Sequence, residues 1–206
     1  MKQDVDKVLR RLEKPASARL TPRFRFAGAH WPPQAAMLLA IKETRTLELW
    51  AKSEGEWLHI RDYPIRGLSG HPGPKLFEGD RQVPEGRYDV VGLNPHSAFH
   101  LSMKLDYPNA FDREMAALDG RKRLGGDIFI HGRDVSKGCL AMGDRTVEEL
   151  FVMTALVGAE KVDVIIAPRD FRKYPPGDSN GVVPHWVGDL NQRIASDLEP
   201  FPLSGK

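Results

Sequence analysis

The sequence predicts a mainly β protein of the α+β class, with a few peripheral helices around one sheet-built core. Three observations carry this. Seven short runs of apolar or alternating residues recur after residue 35, each bounded by turn-forming residues. Only two later segments carry a sustained helical period. The chain of 206 residues, 41% hydrophobic and 28% charged, suits a single core of ordinary size.

The elements follow in order. Residues 1–35 read as a short N-terminal helix and an extended arm: Val5, Val8, Leu9 and Leu12 are spaced for one helical face, Pro15 is expected to end it, and "PASARLTPRFRFAGAHWPP" is rich in breakers. The main unit, 36–170, opens with "AMLLAIKE", "TLELWAK" and "EWLHIRDYPI", a predicted β-meander. The stretch 67–86, "GLSGHPGPKLFEGDRQVPEG", is too dense in glycine and proline for regular structure, and a loop that long in a compact domain usually has a task. "RYDVVGLN", "FHLSMKL" and "DIFIHG" resume the strands. "DRTVEELFVMTALVG" is a helix with Asp144 as expected N-cap and Gly158 as stop, and "KVDVIIAP" is a buried strand. Residues 171–206 form a C-terminal extension containing a second helix, "VGDLNQRIASDLEPF".

Composition excludes several function classes. The formal net charge is +2 with basic residues scattered, so no nucleic-acid partner is expected. One cysteine rules out an intrachain disulfide and a cysteine-rich metal site, the histidines share no ligand spacing, and no glycine loop leads from a strand into a helix. No metal or other cofactor is expected. No apolar run reaches the ~20 residues of a membrane span, and the first residues lack the apolar stretch of a secretory signal.

The chemistry concentrates in "IFIHGRDVSKGCLAM", residues 128–142. Cys139 lies in a polar, turn-prone segment between a strand and a helix, which places the thiol on a loop. A free thiol is only slightly ionised at neutral pH, so a nucleophilic role needs a base or a positive field. His131 can be that base, with Gly132 freeing the backbone to fold the loop back. Gly138 allows close approach of a substrate carbonyl to backbone N–H groups. The alternative is an inert buried thiol beside a satisfied histidine.

These residues resemble the L,D-transpeptidase catalytic-domain family, also called YkuD. Its signature is His-Gly, a variable gap, then Ser or Thr, one residue, Gly and Cys. "SGHPGPKLFEGDRQVPEGRYDV", "LNPHSAFHLSMKLDYPNAFDR" and "GCLAMGD" resemble the YafK-like branch of that family. The resemblance implies a compact L,D-transpeptidase-like β-sandwich or barrel, with Cys139 as nucleophile, His131 as base, the carbonyl of Gly132 orienting the histidine, and N–H groups of Gly138 and Cys139 holding the oxyanion. It implies peptidoglycan stem peptides as substrate, attacked at an L-centre followed by a D-residue. Murein-linked lipoprotein is a further partner, and the periplasm is the expected compartment.

Two positions depart from the wider family pattern. Lys137 stands where many members have His, and is expected to keep positive charge beside the thiol. Ala141 stands where many have Arg. Ser136, Lys137, Lys75, His100, Ser102, Tyr107 and Asn109 are the candidate substrate contacts. Their plainer readings are turn chemistry around Pro108, a solvated loop for Lys75 and a satisfied strand histidine for His100. The expected activity is acyl transfer or hydrolysis at L,D bonds. Its rivals are a crosslinking or lipoprotein-attaching transpeptidase, a wall-binding module without catalysis, and a secreted murein-targeting toxin.

Overall fold

A computed structural model describes residues 2–177 and 183–203. Its elements are α1 (Lys2–Phe26), β1 (Ala35–Ile41), β2 (Thr46–Ser53), β3 (Glu56–Pro64), β4 (Gly86–Asn94), β5 (Ser102–Leu105), α2 (Ala110–Leu118), β6 (Phe129–His131), β7 (Leu140–Ala141), α3 (Asp144–Val157), β8 (Val162–Ala167) and α4 (Val187–Leu198). The eight strands make one mixed sheet, a half-barrel in the order β3-β2-β1-β8-β4-β5-β6-β7. β1 runs parallel to β8 and β6 parallel to β7, while the other pairs are antiparallel.

The central strands are buried on both faces, which explains why their sequences are continuous apolar runs rather than alternations. On β1, Leu38 and Ala40 join the core beneath α1 and α3, while Met37, Leu39 and Ile41 face a second cluster containing Trp186, Leu190 and Ile194 around α4. β8 divides the same way, with Val164 and Ile166 on one side and Ile165 and Ala167 on the other. The β-meander, the irregular 67–85 stretch, and the helices at 144–157 and 187–198 agree with the sequence reading.

Three local expectations are corrected. α1 does not stop at Pro15 but continues through Pro15 and Pro22 to Phe26. A proline inside a helix costs about 3 kcal/mol. Here the stripe Val8, Leu12, Ala16, Leu20 and Phe24, spaced by four, is buried against the core, and each large apolar side chain contributes roughly 1.5–3 kcal/mol. What reads as an arm is therefore largely helix packed on α3. Asp144 is the first residue of α3 rather than its cap; Gly143 occupies the cap, and the Asp144 carboxylate accepts the N–H of Arg133 at 2.8 Å. Where the sequence suggests turn chemistry around Pro108, the chain enters α2, and Asn109 and Asp112 form a reciprocal capping box at its start.

The 67–85 stretch is pinned to the sheet by a buried ion pair. Lys42 Nζ donates to Glu85 Oε1 (2.8 Å), Gly73 O (2.8 Å) and Val83 O (2.9 Å), and Glu85 Oε1 also accepts the N–H of Gly73 (2.6 Å). Burial pushes the Lys42 ammonium down and the Glu85 carboxyl up, and their mutual attraction opposes both shifts. Lys42→Met should cost about 3–5 kcal/mol in urea unfolding, because it strands a buried carboxylate. The deficit should narrow as the pH falls and Glu85 takes up a proton. A cost below about 1 kcal/mol at neutral pH would show that the pair does not anchor the loop.

Candidate active site

The register of three short strands builds the site. His131 ends β6 directly opposite Ser102 of β5 and beside Ala141 of β7. Ile130 and its partners Met103 and Leu140 are completely buried in the core. Side chains alternate along a strand, so His131 and Ser102 take the other face. Cys139 lies in the bend just before β7, two residues from Ala141, the strand partner of His131.

His131 Nδ1 lies 2.6 Å from the carbonyl oxygen of Gly132. A carbonyl only accepts, so Nδ1 carries the proton and Nε2 is left with its lone pair. The ring is 3% exposed and packs 4.6 Å from the ring of Phe99. Burial lowers its pKa, partly offset by the Gly132 bond. Gly132 must be glycine: its N–H reaches the carbonyls of Phe99 and Leu101 at 3.1 Å, and a Cβ would lie 2.7 Å from both Phe99 O and Asp144 Oδ1.

Cys139 is partly exposed and its thiol donates to Asp127 O at 3.6 Å. Burial raises its pKa and the Asp127 carboxylate adds to the rise, while a backbone hydrogen bond from Phe129 and the charge of Lys75 work in the opposite direction. Both shifts favour the neutral forms, a thiol at Cys139 and an imidazole at His131. The backbone of the loop is held tightly. Ser136 Oγ accepts the N–H of Cys139 (2.9 Å) and donates to its carbonyl (2.6 Å), and the N–H of Gly138 donates to Ser69 Oγ (2.7 Å). Gly138, at φ +93°, takes a conformation that L side chains rarely adopt.

The remaining candidates divide. The expected oxyanion donors, the N–H groups of Gly138 and Cys139, are both engaged by serine hydroxyls rather than free, because the loop closes on itself and on the 67–85 segment. Lys137 is exposed. The lysine whose charge reaches the thiol is Lys75, which is 8% exposed and held by Asp80 Oδ1 (2.6 Å) and Phe77 O (2.9 Å). His100 is not in a strand; it sits in a bend at φ +71° with Nε2 3.0 Å from Glu148 Oε1. Ser102 is brought beside His131. Tyr107 is buried, with its hydroxyl donating to Leu124 O at 3.3 Å. Asn109 serves as the α2 cap and donates to Arg87 O at 2.9 Å. Ala141 is fully buried beneath Gly67, whose backbone exchanges two hydrogen bonds with it.

Ser69 is the residue that sequence reasoning missed. Its hydroxyl accepts from Gly138 and donates to Arg81 O at 2.7 Å, joining the cysteine loop to the glycine-rich segment. Only its place inside that segment hinted at a role.

The L,D-transpeptidase catalytic-domain model, YkuD, matches residues 34–166, from the start of β1 into β8, with His131 and Cys139 inside the match. The chain belongs to this family. The Putative L,D-transpeptidase YafK of Escherichia coli K12 is 38% identical over 133 residues, 62% of this chain and 52% of that protein. The chain spans about half the length of the curated relatives it matches. Among solved structures, the helical cell shape determining protein Pgp2 of Campylobacter jejuni is 20% identical with a TM-score of 0.51, covering 80% of this chain and 54% of that one. That likeness concerns the fold.

The directions of these two shifts give this L,D-transpeptidase domain a testable pH signature. His131 can act as base only when unprotonated. Its lowered pKa carries the unprotonated form below the ordinary imidazole value of about 6.5. Acylation should therefore persist below pH 6.5 and fall only on further acidification. Simple alkylation of Cys139 by iodoacetamide should behave differently, rising roughly tenfold per pH unit through neutrality until the raised thiol pKa is passed. An alkylation rate flat between pH 5 and 9 would reveal a preformed thiolate and overturn this account.

Proposed function

We propose that the chain is a murein-active cysteine enzyme that opens L,D bonds of peptidoglycan stem peptides through a thioacyl intermediate. The supporting observation is the fixed tautomer of His131, with Nε2 unprotonated, on a strand paired with the short strand that directly follows Cys139. In this reading Nε2 takes the thiol proton as Sγ attacks the carbonyl carbon of the L-centre. The proton then passes to the departing D-residue nitrogen, and water or an amine attacks the thioester. The thiol must first leave Asp127 O. An oxyanion donor appears when Ser69 releases the N–H of Gly138.

Hydrolysis is the favoured outcome, including release of lipoprotein joined to murein. The loop from His131 to Cys139 is short, Lys137 at its tip is exposed, and Ala141 offers no charge to fix a donor carboxylate. The transpeptidase reading draws on the opposite feature. The 67–85 segment packs on the cysteine loop through Ser69 and could exclude water during turnover. Mass spectrometry separates them. The protein is incubated with tetrapeptide monomers and with lipoprotein-bearing murein, with and without an amine acceptor. Lipoprotein release or stem-peptide cleavage supports hydrolysis. Abundant 3-3 crosslinked dimers without release would refute it.

A further inference from the structure

Away from the cysteine, a cavity of about 320 Å³ opens between α1, β3 and the first turn of α3, lined by Arg19, Arg23, Arg61, Arg145, Tyr63 and Glu149 among others. Four guanidiniums meet there. Glu149 is 2% exposed and is already satisfied: Arg19 Nε reaches Oε1 at 2.5 Å, while Arg61 Nη1 (3.1 Å) and the hydroxyl of Tyr63 (2.9 Å) reach Oε2. Glu148 is shared between Arg19 and His100. Arg23 and Arg145 have no ion-pair partner among the described residues, and the buried Nε of Arg61 has no hydrogen-bond partner. Two carboxylates against four arginines leave Arg23 and Arg145, both exposed to solvent at the rim, without a carboxylate partner among the described residues, beside a polar cavity that also holds an orphaned donor.

We propose that this cavity binds a phosphate group. A phosphate carrying up to two negative charges would balance the surplus, and the planar donor forks of arginine suit its oxygens. An adjoining cavity of about 380 Å³ shares Arg23 and Arg61 and reaches Phe26, whose side chain is 93% exposed. A phosphate group with an apolar appendage, such as a phospholipid headgroup, and a small soluble phosphomonoester both present the required chemistry.

The test uses the full chain and inorganic phosphate at constant ionic strength, read by thermal melting. Saturable binding should raise Tm by roughly 3–5 °C at ten times the apparent Kd. Arg23→Gln/Arg145→Gln should melt like wild type in potassium chloride and lose the phosphate increment. Arg10→Gln/Arg11→Gln removes equal charge from another part of α1 and should keep it. An equal increment in the Arg23/Arg145 variant, or no saturable increment in wild type, would overturn the site. Pelleting with phosphatidylglycerol vesicles but not phosphatidylcholine vesicles, lost in the Arg23/Arg145 variant, assigns the phosphate to a lipid headgroup. A phosphate increment without pelleting assigns it to a soluble ligand.

Discussion

Cys139→Ala should abolish covalent acylation completely. A carbapenem is the convenient acyl donor, because its strained lactam carbonyl opens on attack by a thiolate and leaves a stable thioester. Wild-type protein should gain one drug mass per chain, and with a single cysteine in the sequence the adduct needs no mapping. Cys139→Ser should gain none, since a hydroxyl ionises far less readily than a thiol near neutrality. The neighbouring Ser136 offers no substitute: its hydroxyl is tied to both the N–H and the carbonyl of Cys139. An adduct of equal yield on Cys139→Ser would place the nucleophile elsewhere and end the assignment.

Replacing His131 should slow acylation by about 10²- to 10⁴-fold, the usual worth of a general base. The residue is buried against Phe99, so alanine would also leave a hole in the packing. His131→Gln, which better preserves volume, is the companion variant and should be slowed as severely as His131→Ala. Two further readouts separate a base from a packing residue. The acid limb of the wild-type pH profile should vanish in both variants. Added imidazole should recover part of the rate in His131→Ala, where the hole can admit it. Unchanged rates in both variants, on protein that melts like wild type, would make the histidine structural.

Much of the site was legible because its signals are local. The pairing of His131 with Gly132 lies within two adjacent residues, and the Ser136 turn spans three. Strands β1 and β8 were readable because burial on both faces demands unbroken apolar runs. Other features were hidden for physical reasons. The prolines of α1 look like stops until the buried four-residue stripe beyond them is weighed. His100 looks like a strand residue, but its ring is drawn to Glu148 on a helix distant in sequence.

The sequence by itself determined the fold class and seven of the eight strands, and it singled out Cys139 and His131 as candidates, because each depends on residue chemistry and short-range periodicity; the order of the strands in the sheet did not follow from it. The tertiary structure decided which charges, the Asp127 carboxylate and the Lys75 ammonium, act on the thiol and which donors are free. Lys137 is two residues from Cys139 yet exposed, whereas Lys75, far back in the chain, is buried and exerts its charge on the sulfur. It also decided that Gly138 is tied to Ser69 and that Ala141 lies under Gly67. Electrostatic fields and hydrogen bonds act through distance in space, and that distance is set by how the 67–85 segment folds back onto the sheet.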